Sequence, residues 1–178
     1  MMKSNTGHNI QNLSKHIIFI GQRNVGKSFW GERIALDLDL PFWDTDFLLR
    51  DKYGDFFYLE GGEKLFRKRE HEILSSLGRE NIRGVIATGA GCIMYRENAN
   101  LLKELGIRLF LQNTRECLWK REQKRAIGWK KAPFFSLFSY REKLYCQWCD
   151  ITISCAHKSK EETREEILSW LKNCFFSR

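Results

Sequence analysis

The sequence predicts an α/β protein in which a central five-stranded parallel sheet is flanked by helices, giving three layers. Three observations carry this expectation. Short apolar runs rich in β-branched residues recur along the chain, and helical apolar spacing follows them. Glycine-bearing bends come directly after two of these runs, at Gly21 and at Gly89-Ala90-Gly91. No internal repeat or linker divides the 178 residues, a length that suits one domain.

The elements follow in order. Met1 to Ser14 is polar and aperiodic, so residues 1–14 are expected to form a disordered leader and residues 15–178 the folded domain. His16 to Ile20 reads as a strand buried on both faces. Ser28 to Leu38 carries Phe29, Ile34, Ala35 and Leu38 at helical spacing. Pro41-Phe42-Trp43 is a second short strand that ends at Asp44-Thr45-Asp46, and either aspartate can cap a following helix. Gly61-Gly62 opens a long helix to about Leu77, with Gly78 as a stop.

Val85 to Thr88 is a third buried strand, and a helix over Glu97 to Leu105 leads to a fourth at Ile107 to Leu111. Asn113 or Thr114 caps the next helix, which runs through Cys117 and Trp119 into a basic, poorly periodic segment, Lys124 to Ser136. A helix around Phe138 to Cys149 precedes a last strand, Ile151 to Ile153. Ser159 and Glu162 have the spacing of a capping box for the closing helix. In such a sheet, sites lie at the carboxyl ends of the strands.

Composition narrows the function classes. Hydrophobic residues make up 43% and charged residues 29%, the balance of a chain that folds. No apolar run approaches the roughly 20 residues of a membrane span, and no export signal is visible, so no membrane partner is expected. Thirty Lys and Arg against 22 Asp and Glu leave a net charge of +8, which favours anionic partners. The excess gathers at Lys120-Arg121, Lys124-Arg125 and Lys130-Lys131, which suits a local anion site better than a face for nucleic acid. Six cysteines in a chain of this kind read as reduced thiols, so a cytoplasmic location is expected. Cys146-x-x-Cys149 with Cys155 and His157 can be drawn as a zinc site, but the spacing matches no common pattern, and cysteines packed as small apolar side chains are the simpler reading.

Gly21-Gln22-Arg23-Asn24-Val25-Gly26-Lys27-Ser28 satisfies the phosphate-loop pattern in its required place, after a buried strand and at a helix start. Successive amides and the helix N-terminus, up to Phe29, can face phosphate oxygens. Lys27 can reach the β and γ oxygens and Ser28 can ligate Mg²⁺, so a nucleoside triphosphate with Mg²⁺ is expected. Asp44 can hold the metal through water, while Asp46 can bind a substrate hydroxyl and help take its proton. Arg67 and Glu70 stand three apart on one helix face, so the carboxylate can orient the guanidinium, and an arginine so held suits a substrate carboxylate. Arg141 is a candidate second grip, and the Gly89-Ala90-Gly91 bend can offer backbone N–H groups.

The order of these motifs, with Gly62-Glu63-x-x-Phe66-Arg67-x-x-Glu70, Ala87-Thr88-Gly89-Ala90-Gly91 and Arg141-x-x-x-Tyr145, resembles that of the shikimate kinases. The resemblance covers residues from about Lys15 to the C-terminus. It implies a P-loop kinase fold like that of nucleoside monophosphate kinases, with a substrate-binding helical region at about 45–78 and a lid at about 120–136. It also implies the reaction of ATP with shikimate to give ADP and shikimate 3-phosphate, in aromatic amino acid biosynthesis.

By position, the resemblance makes Lys27, Asp46 and Arg67 catalytic and places Mg²⁺ on Ser28 and Asp44. Shikimate falls to Asp46, Arg67, Glu70, Gly89, Ala90, Gly91 and Arg141. Three departures stand out: Asn24 and Ala90 replace glycines usual in the family, and Ala132-Pro133-Phe134-Phe135 lies unusually close to Arg141. The lid arginine is therefore open among the basic residues, with Arg121 and Arg125 ranked first for ATP phosphates. Trp129, Phe134, Phe135 and Phe138 either close over the site or pack in the core. A monomer is expected. The rival readings are a gluconate kinase or other small-metabolite kinase, a kinase-like binder without turnover, and a basic nucleic-acid-binding module.

Overall fold

The structure, a computed structural model, describes residues 14–54, 61–124 and 131–176. The leader expected over residues 1–14 lies outside the described residues except for Ser14. The elements are β1 (His16–Gly21), α1 (Lys27–Asp37), β2 (Phe42–Asp44), α2 (Thr45–Tyr53), α3 (Gly62–Arg79), β3 (Val85–Ala87), α4 (Arg96–Leu105), β4 (Gly106–Gln112), α5 (Arg115–Glu122), α6 (Lys131–Trp148), β5 (Ile151–Ser154) and α7 (Lys160–Phe176). A short 3-10 turn, Cys92–Met94, precedes α4.

The strands form one parallel sheet in the order β2-β3-β1-β4-β5, as the alternation of apolar runs and helices requires. All six residues of β1 are buried, because it is central and covered on both faces. One apolar layer joins β1 side chains Ile17 and Phe19 to Ile34, Leu118, Ile167 and Leu171. The other joins Ile18 and Ile20 to Leu49, Leu74, Leu102 and Tyr145. Alternate residues of one strand thus serve opposite layers, the period-2 rule of a strand. The capping box at the start of α7 forms in both directions: Glu162 Oε2 accepts from Ser159 N at 2.7 Å and Ser159 Oγ from Glu162 N at 3.1 Å. The cap of α5 is Thr114, whose Oγ1 accepts from Cys117 N at 3.1 Å.

The cap expected at Asp44 or Asp46 falls to Asp44, whose Oδ1 accepts from the N–H groups of Asp46 at 2.9 Å and Phe47 at 3.3 Å and starts α2 at Thr45. Two features differ from the sequence reading. Gly78 does not stop α3, which runs to Arg79. The helix expected near Phe138 is already present at Lys131, so the expected loose segment to Ser136 is partly helical. Phe134 and Phe138, one turn apart, then reach the core and are 9% and 7% exposed. Phe134 and Phe135 also pack against Trp119. Phe134 and Phe138 are thus core residues, and Phe135 is partly buried against them. Trp129 and Arg125 lie outside the described residues.

The strand order positions the site. β3 lies between β1 and β2, with Phe19 opposite Ala87 and Ala87 opposite Asp44. The segments leaving these three strands are the phosphate loop, the Gly89-Ala90-Gly91 bend and the Asp44-Thr45-Asp46 corner. They emerge level with one another at the carboxyl edge.

Candidate active site

The phosphate loop closes between β1 and α1. Asn24 has φ 64° and Gly26 φ 108°, both left-handed. Glycine takes this region freely and asparagine better than most residues, so the Asn24 departure is accommodated in the backbone. Lys27 Nζ donates to the carbonyls of Gly21 and Gln22, each at 2.9 Å, so the ammonium lies over the loop. Its pKa falls to about 8, chiefly because it is desolvated, although Asp46 and Asp44 oppose the shift. Gln22 Nε2 donates to Phe138 O at 2.8 Å and ties the loop to α6. Val25 is buried, and Arg23 Nε lies 3.6 Å from Glu122. The Phe29 side chain stands on the surface under Lys160 Nζ, 5.0 Å from the ring centroid. Arg121 NH1 donates to Asn24 O at 2.9 Å, which brings one of the two first-ranked arginines onto the loop.

Ser28 Oγ donates to Asp44 Oδ2 at 2.5 Å. One carboxylate therefore does two jobs, capping α2 with Oδ1 and meeting Ser28 with Oδ2. Two hard oxygen donors side by side beside the phosphate loop suit Mg²⁺.

The acceptor side assembles around the bend after β3. A Cβ on Gly89 would lie 2.8 Å from Asp46 Oδ1 and 2.8 Å from Glu70 Oε1, so both carboxylates close on that residue. A Cβ on Gly91 would collide with the Arg67 guanidinium. Glycine is needed at both places for close approach, not for unusual dihedrals. Ala90 is outside the left-handed region, so its methyl imposes no backbone strain. The bend's amides are not all available: Gly89 N donates to Thr45 Oγ1 at 3.1 Å. Its carbonyl at Ala90 accepts from Tyr145, which is stacked on Phe110 at 4.9 Å. The N–H groups the bend can offer a ligand therefore come from Ala90 and Gly91.

Arg67 is 7% exposed and Glu70 1%. Arg67 NH1 donates to Glu70 Oε2 at 2.6 Å, and Glu63 Oε1 lies 3.4 Å from NH2. Among the described residues Arg67 Nε and Glu70 Oε1 are buried without hydrogen-bond partners. Burial lifts the Glu70 pKa to about 7 against the pull of Arg67. It also raises the Asp46 pKa, with Lys27 pulling the other way. Arg141 Nε donates to Met94 Sδ at 3.1 Å. Its pKa is lowered by burial and by the like charge of Arg67. Lys27, Asp44, Asp46, Arg67, Glu70 and Arg141 thus form one electrostatic cluster drawn from four helices and a strand.

Sequence reasoning missed several members. Thr45 holds the bend, and Asn98 Nδ2 reaches Arg67 O at 3.4 Å. Glu122 is fully buried and accepts from the side chain of Asn24. Leu118 and Glu122 stand one turn apart facing inward, and a carboxylate at an inward position is the signal that a partner waits across the interface. Cys146 is exposed and Cys149 half-buried, and no cluster of three or more potential metal-ligating His, Cys, Asp or Glu occurs among the described residues.

The shikimate kinase family profile matches residues 23–172. A shikimate kinase of Enterococcus faecalis is 32% identical over 167 residues, covering 88% of this chain and 98% of its own. The crystal structure of a shikimate kinase from Aquifex aeolicus is 29% identical, with a TM-score of 0.77 over 92% of this chain and 99% of that one. A shikimate kinase from Acinetobacter baumannii solved in complex with shikimate is 26% identical, with a TM-score of 0.76 over 90% of this chain and 92% of its own. The phosphate loop, the Arg67 and Glu70 pair, and the agreement of profile and fold along most of the sequence lead to one conclusion: the chain belongs to the shikimate kinase family.

Proposed function

We propose that this protein transfers the γ-phosphoryl group of ATP to the 3-hydroxyl of shikimate, giving ADP and shikimate 3-phosphate. The observation that carries the reading is the convergence of Asp46, Arg67, Glu70 and the Gly89 to Gly91 bend at a strand end adjoining the phosphate loop. Phosphoryl transfer depends on in-line positioning and on neutralising charge, and the two halves supply these in turn.

On the donor side, loop amides and Lys27 hold the triphosphate. Ser28, with Asp44 through water, would hold Mg²⁺, which neutralises phosphate charge when bound. Arg121, whose guanidinium touches the loop at the Asn24 carbonyl, would be the lid-side cation for phosphate. On the acceptor side, Arg67 and Arg141 grip the substrate carboxylate, and Glu70 fixes the plane of the Arg67 guanidinium. Asp46 accepts the hydrogen bond of the reacting hydroxyl and takes its proton as the P–O bond forms. Its raised pKa makes it a better base than a solvated aspartate. The described residues within about 45–78 would form the substrate-binding helical region and those within about 120–136 the lid, with 55–60 and 125–130 outside the described residues.

The six free cysteines support a cytoplasmic, reducing setting, and a monomer completes the proposal. No helix among the described residues is long and apolar enough to cross a membrane. The test is an acceptor screen with shikimate, gluconate and nucleoside monophosphates, read by product identification. Shikimate 3-phosphate should be the product, and phosphorylation of gluconate alone would overturn the reading.

A further inference from the structure

We propose that Glu122 is a positioning residue for ATP, acting through the side chain of Asn24 to hold the tip of the phosphate loop against α5. The proposal rests on the ATP-dependent reading above but not on the identity of the acceptor.

Asn24 has a left-handed φ of 64°, a region that asparagine tolerates better than most side-chain-bearing residues. Its side-chain amide donates to Glu122 Oε2. Glu122 has no exposure, a burial that a carboxylate tolerates only when paired and hydrogen-bonded. Arg23, on the other side of Asn24, brings its Nε to 3.6 Å from the same oxygen. One residue earlier on α5, Arg121 NH1 donates to the Asn24 carbonyl at 2.9 Å. Two consecutive residues of α5 therefore grip the loop at one point, one by main chain and one by side chain.

Two effects on ATP compete. The Glu122 negative charge close to the loop opposes phosphate binding, and fixing the loop favours it, because amides already aimed at phosphate need no reorganisation. Arg23 and Arg121 offset the charge locally, so the positioning effect dominates. The carboxylate and the asparagine are then parts of one device, in which the side chain at the loop tip is anchored by the acid that faces it.

A double-mutant cycle on the full chain tests this, with ATP and Mg²⁺ binding measured by calorimetric titration and steady-state kinetics in parallel. Glu122→Ala should weaken ATP binding about tenfold and raise the KM for ATP alike, with the KM for shikimate within about twofold. Glu122→Gln keeps an acceptor for Asn24 and should stay within about threefold of the parent. Asn24→Gly should weaken ATP binding about fivefold. The double variant Asn24→Gly with Glu122→Ala should bind ATP no more weakly than Glu122→Ala alone, because the pair acts as a unit. ATP binding within twofold of the parent in Glu122→Ala, tighter binding there, or losses that multiply in the double variant would overturn the proposal. If Glu122→Ala does not fold, Asn24→Gly leaves α5 unaltered and decides the matter: binding within twofold of the parent overturns it. A failed shikimate assay with these ATP-binding shifts intact would sink the acceptor assignment and leave this inference standing.

Discussion

In the phosphate cradle, polar side chains are met by main chain or by a close partner: Lys27 by two loop carbonyls, Ser28 by Asp44, Asn24 by Glu122. In the acceptor pocket along the same sheet edge, Arg67 and Glu70 each keep a buried polar atom with no partner among the described residues. An unsatisfied buried polar group costs about 1–3 kcal/mol, so the second region carries a burden the first does not. The difference teaches where specificity lies. On the proposed function, a triphosphate is held by a preformed local motif, whereas the acceptor is selected by buried polar atoms left unpaired until it arrives.

The comparison can be broken by variants that should fail in only one half. Lys27→Ala has the largest expected effect, a loss of turnover of at least about a thousandfold with every acceptor tried, because charge on the transferred phosphoryl group loses its cation. Equal loss with one acceptor and none with another would place Lys27 in the wrong half. Asp46→Asn should cut turnover by about a hundredfold to ten-thousandfold while ATP binding, read by titration, changes little. Near-normal turnover would contradict its assignment as base.

Smaller effects sharpen the picture. Arg67→Ala should raise the KM for shikimate about a hundredfold with the KM for ATP nearly constant, and a matching loss of ATP affinity would contradict its acceptor-side place. Glu70 offers a pH test. Its folded pKa of about 7 lies above the ordinary 4.5, so the folded state binds the proton more tightly than the unfolded chain. Stability should therefore fall as pH rises from about 4.5 to about 7, the deficit being complete above the folded value. Denaturant titrations across that window should show the decline in the parent and a flatter curve in Glu70→Gln; parallel curves would disprove it. Tyr145→Phe, which releases the Ala90 carbonyl but keeps the ring on Phe110, should cost about 1 kcal/mol of stability and a few-fold in shikimate KM.

The sequence revealed the two regions unequally for a physical reason. The phosphate loop is eight consecutive residues between a strand and a helix, and the helical spacing of Arg67 and Glu70 places them on one face without further knowledge. The buried β1 and the capping box at Ser159 are equally local signals. What could not be read locally is what crosses the fold: Glu122 under Asn24, 98 residues away, and Tyr145 on Ala90, 55 residues away. The part of α6 before Phe138 escaped for a related cause, since Pro133 and the basic run mask a helix whose apolar face is visible only against the core. Of the two roles open to Asp44, the helix cap is formed by Oδ1, while Oδ2 meets Ser28.

The central claim is that both halves work in one site on one reaction. Its most direct test is the rate of ADP release from ATP and Mg²⁺, measured by coupled assay with and without shikimate. The account predicts rapid ADP release only when shikimate is present, saturating with its concentration. ADP release at the same rate with and without shikimate would contradict it.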